Sequence, residues 1–478
     1  MKRIWSITLA TCVSAALSAC GGGSASAPTQ VSGGGVVGDT SSTCSLRARQ
    51  DFAFATLNEW YLFPETLPAS LDPTPFATVQ AYIDTLTATA RAQKRDVGFT
   101  FVTSIAGENA FFNSGSSAGF GIRLMSDAVA RRVLIAEAFE GSAALAAGID
   151  RGDEIIAVGT SSSDLRLISD IIAAEGLGGV TTAFGPSTAG TSRLLRIVNS
   201  AGTMRDLNVT KSDFSLTAVS SRYGVRTIDD GGRRIGYLNL RTFISSADPQ
   251  LRAAFDGFRA QGVRELIIDF RYNGGGLVSI ANLIGDLLGS NRSTNETFSM
   301  TAFRPEKSSQ NSTRRFSPQS QSVAPMKIAF ITSQGTASAS ELVINSMIPY
   351  LGTNMAMIGE NTLGKPVGQI GIDRAACDDR IRVVAFTTRN AANGGDYFNG
   401  LAPFVSNTCQ AGDDLSRTLG DPAEASTRQA INFLNGRSCT PIGVTAQTAQ
   451  RRSGPVEDFD LMMPELPSVS QREVPGLF

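Results

Sequence analysis

The sequence predicts a mixed α/β (α+β) protein: a layered α/β core, a β-rich module before it and a small helical subdomain at the front. Three observations carry this. From Arg234 onward, apolar β-type runs at 235–240 and 265–270 alternate with a helix-like run at 249–261, the pattern of a sheet covered by helices. Between Phe99 and Asp213 the signals are instead short strands punctuated by glycine turns. Before that, Phe52, Phe54, Leu57, Trp60 and Tyr61 recur near helical spacing, Pro64 and Pro68 interrupt, and the pattern resumes over 76–92.

Taken in order, the chain opens with a targeting segment over residues 1–19. Met1-Lys2-Arg3 is basic, 4–17 mostly apolar, and Leu17-Ser18-Ala19-Cys20 resembles the lipobox of bacterial lipoproteins, which implies a lipid on Cys20. Gly21 after that cysteine, where sorted lipoproteins retained elsewhere carry Asp, implies the outer membrane, facing the periplasm. Residues 20–43 are Gly, Ser, Thr and Ala rich, a flexible tether. The helical subdomain spans 44–97 and the β-rich module 98–215. In the module, Gly119-Phe120-Gly121-Ile122 is followed by a block from Gly141 through Gly148-Ile149-Asp150-Arg151-Gly152-Asp153 to Val158. That block resembles a bacterial PDZ domain, with residues 119–122 as the turn whose N–H groups grip a chain-terminal carboxylate. The core is assigned to 216–436, with 290–324 as an insertion or mobile loop. Residues 437–478, polar and proline-containing, read as a disordered tail.

The chemistry concentrates between Met326 and Gln369. An apolar run at 326–333 passes through Gly335-Thr336-Ala337-Ser338-Ala339-Ser340-Glu341 directly into a helix-like run at 342–350. A hydroxyl at such a corner sits beside the free N–H groups and positive end of the helix. Ser338-x-x-Glu341 is also an ordinary helix-capping spacing. The chain contains no histidine, so a Ser-His-Asp triad and His-ligated metals are excluded. A proton from Ser338 must go to a carboxylate or to a neutral lysine. Lys365, in Gly364-Lys365-Pro366-Val367-Gly368-Gln369, is the candidate. A free lysine is neutral only about once in two to three thousand at pH 7, so burial must depress its pKa.

These segments together resemble the carboxyl-terminal processing (tail-specific) peptidases. The resemblance implies a crotonase/ClpP-like core with a Ser-Lys dyad: Ser338 as nucleophile, Lys365 as general base, Gln369 orienting it. Asn273-Gly274-Gly275-Gly276 would supply one oxyanion-hole N–H from Gly275 or Gly276, and Ala339 the other. Pro366 departs from the family, which usually has glycine there; a proline cannot supply positive φ.

The implied function is a serine endopeptidase that binds apolar C-terminal ends of proteins or peptides. Its alternative is a catalytically impaired relative acting as an envelope adaptor. No metal site or cofactor is implied. A formal charge of -1 offers no field for nucleic acid, and membrane contact is expected only through Cys20. Four further cysteines, Cys44, Cys377, Cys409 and Cys439, suggest two disulfides in an oxidising compartment. Three pairings are open; Cys377 with Cys409 and Cys44 with Cys439 are favoured. The final Pro475-Gly476-Leu477-Phe478 is the kind of apolar end such a module accepts, which suggests self-docking.

Overall fold

A computed structural model describes residues 43–443 and 459–478; the expected signal segment, Cys20 and most of the tether lie outside the described residues. The core is a six-stranded sheet: β1 (Val225–Asp230), β2 (Arg233–Asn239), β3 (Glu265–Asp269), β4 (Lys327–Thr332), β5 (Met355–Gly359) and β6 (Thr408–Gln410), adjacent in that order. Only the β1–β2 hairpin is antiparallel; the other four pairings are parallel. Parallel strands need crossovers, so helices cover both faces and the strands are apolar on both sides. Leu266, Ile268, Ile328, Phe330, Met355 and Met357 face α1 (Ala247–Ala260), α2 (Val278–Leu287) and α3 (Ala339–Leu351). The alternate residues Ile267, Ala329, Ile331, Ala356 and Ile358 face α4 (Ala425–Leu434). On α1 the spacing of Leu251, Ala254, Phe255 and Phe258 gives the buried stripe.

A second, antiparallel sheet joins Phe101–Ser104, Asp379–Arg389, Thr297–Phe303 and Ser312–Arg315, with Val367–Arg374 also paired to Asp379–Arg389. The stretch 290–324 thus contributes two strands to this sheet, anchored by buried Phe298 and Phe316, and is an ordered insertion. Helices Leu46–Trp60 and Val79–Leu86 pack on it through Ala53, Leu57, Tyr82 and Ile83.

Residues 98–215 contain their own sheet, Ile122–Asp127, Arg132–Ala138, Glu154–Gly159, Ser192–Val198 and Met204–Thr210, and the helical stretch Ile168–Phe184. The tail departs from expectation. Residues 459–478 are ordered: Asp460–Leu461 pairs with Ile122–Asp127, Val469–Glu473 is a short helix, and Val474, Leu477 and Phe478 are buried.

The favoured cysteine pairing is overturned: the bonds are Cys44–Cys377 and Cys409–Cys439. Helix Leu46–Trp60 packs on strand Asp379–Arg389, with Arg49 donating to Asp379 at 2.6 Å, which brings Cys44 to the turn at 375–377. Residue 440 runs beside β6, Gln410 N–H donating to the Thr440 carbonyl at 2.8 Å, so Cys409 meets Cys439. No helix among the described residues is long and apolar enough to cross a membrane.

Candidate active site

The site lies beyond the C-terminal ends of β3 and β4, where parallel sheets open crevices. The chain leaving β3 is pinned by Arg271, fully buried between Asp269 at 2.9 Å and both carboxylate oxygens of Glu424 at 2.9 Å. The chain leaving β4 is laced to it: Thr336 Oγ1 donates to the Phe270 carbonyl at 2.9 Å, and Ala337 N–H to the Asn273 carbonyl at 3.0 Å. Between this loop and α3 stands Ser338 with φ 51° and ψ -111°. That backbone costs a non-glycine residue about 1–3 kcal/mol and persists only because its neighbours determine it. One of them is Gly275, where an added Cβ would lie 2.8 Å from the Ser338 Cβ and 3.0 Å from the Ala339 nitrogen.

Glu341 ties the corner to the lysine loop. Its buried carboxylate accepts from the N–H of Ser338 at 2.9 Å, of Lys365 at 2.8 Å and of Gly364 at 2.8 Å. Burial pushes its pKa up, opposed by a hydrogen bond from Thr362 and by these N–H donors. The capping spacing read from the sequence is therefore real, and the same carboxylate reaches across to the second loop. Glu341 was not among the expected site residues, although its spacing to Ser338 was visible.

Lys365 is largely withdrawn from water. Its Nζ donates to Gln369 Oε1 at 2.9 Å and lies 4.9 Å from the centre of the Phe99 ring. Gln369 Nε2 in turn donates to the Phe99 carbonyl. Burial lowers the pKa of Lys365, and the nearby carboxyl of Glu473 opposes this. Positive φ falls at Gly364, at +94°, and not at Pro366, whose carbonyl accepts from Thr388 N–H at 2.9 Å. The proline therefore takes no part in the special backbone geometry beside Lys365. Among the described residues, no hydrogen bond joins Ser338 Oγ to Lys365 Nζ.

The expected N–H donors are not equivalent. Gly275 N–H is spent on Asn273 Oδ1 at 2.9 Å, whereas Ala339 and Gly276 N–H make no hydrogen bond among the described residues. Gly274 N–H donates to the carbonyl of Glu473, in the tail, at 3.0 Å. A cavity of about 380 Å³ opens beside these loops, bounded among others by Phe99, Tyr272, Gly335, Lys365, Leu461 and Glu473.

The residues of 119–122 form a separate cluster. Gly121 and Ile122 donate N–H to the Phe478 oxygen at 2.9 and 3.2 Å, and Phe478 N–H returns to the Ile122 carbonyl at 2.9 Å. Gly119 leaves the space that Phe478 enters, an added Cβ there lying 2.8 Å from the Phe478 carbonyl carbon. Phe120 lies in the core beneath, edge-on to Phe184 with Lys211 over its face. No group of three or more His, Cys, Asp or Glu side chains among the described residues could hold a metal ion.

The sequence pattern of peptidase family S41 matches residues 234–401, the span that holds the glycine loop, Ser338, Glu341, Lys365 and Gln369. The chain is 24% identical over 257 residues to a carboxyl-terminal-processing protease of Picosynechococcus sp., covering 53% of this chain and 55% of that protein. It is 25% identical over 347 residues to the chloroplastic carboxyl-terminal-processing peptidase 3 of Arabidopsis thaliana, covering 72% of this chain and 62% of that one. The chain thus spans little more than half the length of these curated relatives. A Bacteroides fragilis protein described as an S41 protease has a similar fold in its crystal structure, with TM-score 0.60 at 21% identity over 80% of this chain and 97% of that one.

Proposed function

We propose, from the premise that this chain belongs to peptidase family S41 and its carboxyl-terminal processing proteases, that it is a serine endopeptidase with a Ser338–Lys365 dyad. The observation that carries this reading is the Glu341 carboxylate, which gathers the N–H groups of Ser338 and Lys365 and so holds a strained serine and a desolvated lysine in one frame. Neutral Lys365 takes the Ser338 hydroxyl proton as Oγ attacks a peptide carbonyl. The developing oxyanion is received by backbone N–H groups, with Ala339 and Gly276 the donors left free; each such donor is typically worth a hundredfold to a thousandfold in rate. Protonated Lys365 gives its proton to the leaving amine, then activates water to hydrolyse the acyl-enzyme. Gln369 positions the amine.

The unit 98–215 serves in this reading as a PDZ module. Its edge strand Ile122–Asp127 and the turn at Gly121 take an extended apolar peptide end by main-chain pairing. Lipidation at Cys20 would hold the enzyme in the cell envelope, facing the periplasm. Loss of lipid labelling in Cys20→Ala tests this.

A second reading, an impaired adaptor, is favoured by one observation: Lys365 Nζ engages Gln369 and not Ser338. Incubating the protein, Ser338→Ala and Lys365→Ala with unstructured polypeptides separates the two. The peptidase reading expects loss of turnover in both variants, for Lys365→Ala by about 10²–10⁴-fold. Equal turnover in all three would overturn it. Tight peptide binding without turnover in any would establish the adaptor.

A further inference from the structure

The tail makes two contacts at once. Its last residues add to the edge of Ile122–Asp127: Phe478 pairs with Ile122, and Leu124 N–H donates to the Gly476 carbonyl at 2.8 Å. Leu477 and Phe478 are each 3% exposed, and the Phe478 ring lies 5.9 Å from that of Phe184. Upstream, the same segment crosses the candidate active site. Glu473 offers its carbonyl to Gly274 N–H, within the glycine loop that faces Ser338, and an added Cβ at Gly274 would lie 2.2 Å from the Arg472 carbonyl oxygen. Arg472 donates to the Gly98 carbonyl at 2.8 Å and lies 4.0 Å over the Phe101 ring. Leu461 closes on Gly335, where an added Cβ would meet it at 2.4 Å. Glu473 is half-buried, with its carboxylate Oε2 enclosed and unpartnered; burial raises its pKa, and it is the largest opposing influence on the lowered pKa of Lys365.

The segment does not have the conformation of a substrate. A protease reaches a peptide bond in an extended strand, whereas Val469–Glu473 is helical, capped by Ser468 and Gln471, and closed by Val474 N–H donating to the Ser470 carbonyl at 2.8 Å. Lys365, meanwhile, is turned to Gln369. Occupied groove, roofed cavity and disengaged lysine describe a resting state.

We propose that residues 459–478 are a cis-acting inhibitory ligand that fills the peptide groove and the catalytic cleft together, and that displacing it with an extended apolar peptide activates the enzyme. This rests on the peptidase reading for its consequence, but not for its binding contacts. Being part of the chain, the segment competes at high effective concentration, so a free peptide must be abundant or tight to displace it.

The test uses the full chain carrying Ser338→Ala, so that nothing is cleaved. Its partners are the same chain ending at residue 458 and a full-length Phe478→Asp variant that keeps the tail but not its anchor. The probe is a fluorescent synthetic peptide of residues 468–478, followed by anisotropy. The shortened and Phe478→Asp chains are expected to bind it at least tenfold more tightly than the intact chain. With Ser338 restored, both should hydrolyse an unstructured polypeptide at least tenfold faster than the intact chain, and added peptide should slow the shortened form. Equal peptide affinity in all three chains overturns the inference, whatever the activities. Tighter binding by the two altered chains with no turnover in any upholds the docking and overturns the peptidase reading instead.

Discussion

Among the contacts that join the 98–215 unit to the rest of the molecule, two seams are built from opposite materials. The first is charged and, apart from the partly exposed Glu140, buried. Glu137 accepts from Arg123 at 2.9 Å within the unit and from Arg241 in the core at 2.7 Å, with the Tyr223 hydroxyl also on it; each ion-pair side chain is 1% exposed. Arg241 reaches Glu140 at 2.7 Å as well. The second seam is the tail, held by main-chain bonds and by apolar residues such as Val474, Leu477 and Phe478. A buried ion network cannot open without stranding charges in a dry interior. A strand added at a sheet edge can be exchanged for another peptide at little cost, because the newcomer makes the same bonds. The unit should therefore stay fixed on the core while its ligand changes.

The most damaging way to break this comparison is Glu137→Gln. It leaves Arg241 and Arg123 without their shared carboxylate, and truncating one side of a buried pair costs about 3–5 kcal/mol. We expect a lower denaturation midpoint in urea or on heating, whereas removal of residues 459–478 should leave the midpoint of the core transition within a much smaller margin. Similar losses from both changes would mean that the seams do not differ in kind.

The charged seam was not legible in the sequence, because Arg123, Glu137, Tyr223 and Arg241 are brought together only by the tertiary fold. The same holds for the cysteines: Cys44 and Cys377 are 333 residues apart in the chain, and only helix packing carries Cys44 to the turn at 375–377. Local features fared differently. The strands around 265–269 and 327–332, the corner at Ser338, and Lys365 with Gln369 four residues on are all short-range patterns: the structure forms both strands, sets Ser338 at the start of α3 and bonds Lys365 Nζ to Gln369. The tail misled because Leu461, Val474 and the pair Met462 and Phe478 pack into three different apolar clusters and so follow no helical or strand period.

A middling effect is expected at Glu341, on the fixed side of the site. Glutamine keeps the size but offers one acceptor oxygen where three N–H groups converge, leaving at least one buried donor unpaired at a cost of about 1–3 kcal/mol. Since that frame sets the Ser338 and Lys365 backbones, Glu341→Gln should lower kcat by about ten- to a hundredfold with KM little changed. A rise in KM alone would place Glu341 in peptide binding and not in alignment.

The smallest expected effect separates the seams by proton chemistry. Burial lowers the pKa of Lys365, so the neutral amine, and with it kcat/KM, should appear as pH rises through a value below that of free lysine, near 10.4. The linkage has a fixed sign. Between the lowered native pKa and the ordinary one, the unfolded chain binds more protons, so Lys365 makes stability rise with pH across that window and costs most below it. The Glu473 carboxyl, on the exchangeable seam, raises the Lys365 pKa. Glu473→Gln should therefore move the ascending limb of kcat/KM to lower pH. Replacing Glu140, which belongs to the charged seam and is absent from the influences on Lys365, should leave the limb where it is. A limb that ignores Glu473 but answers to Glu140 would mean that the tail does not reach Lys365, and that only the permanent seam speaks to the site.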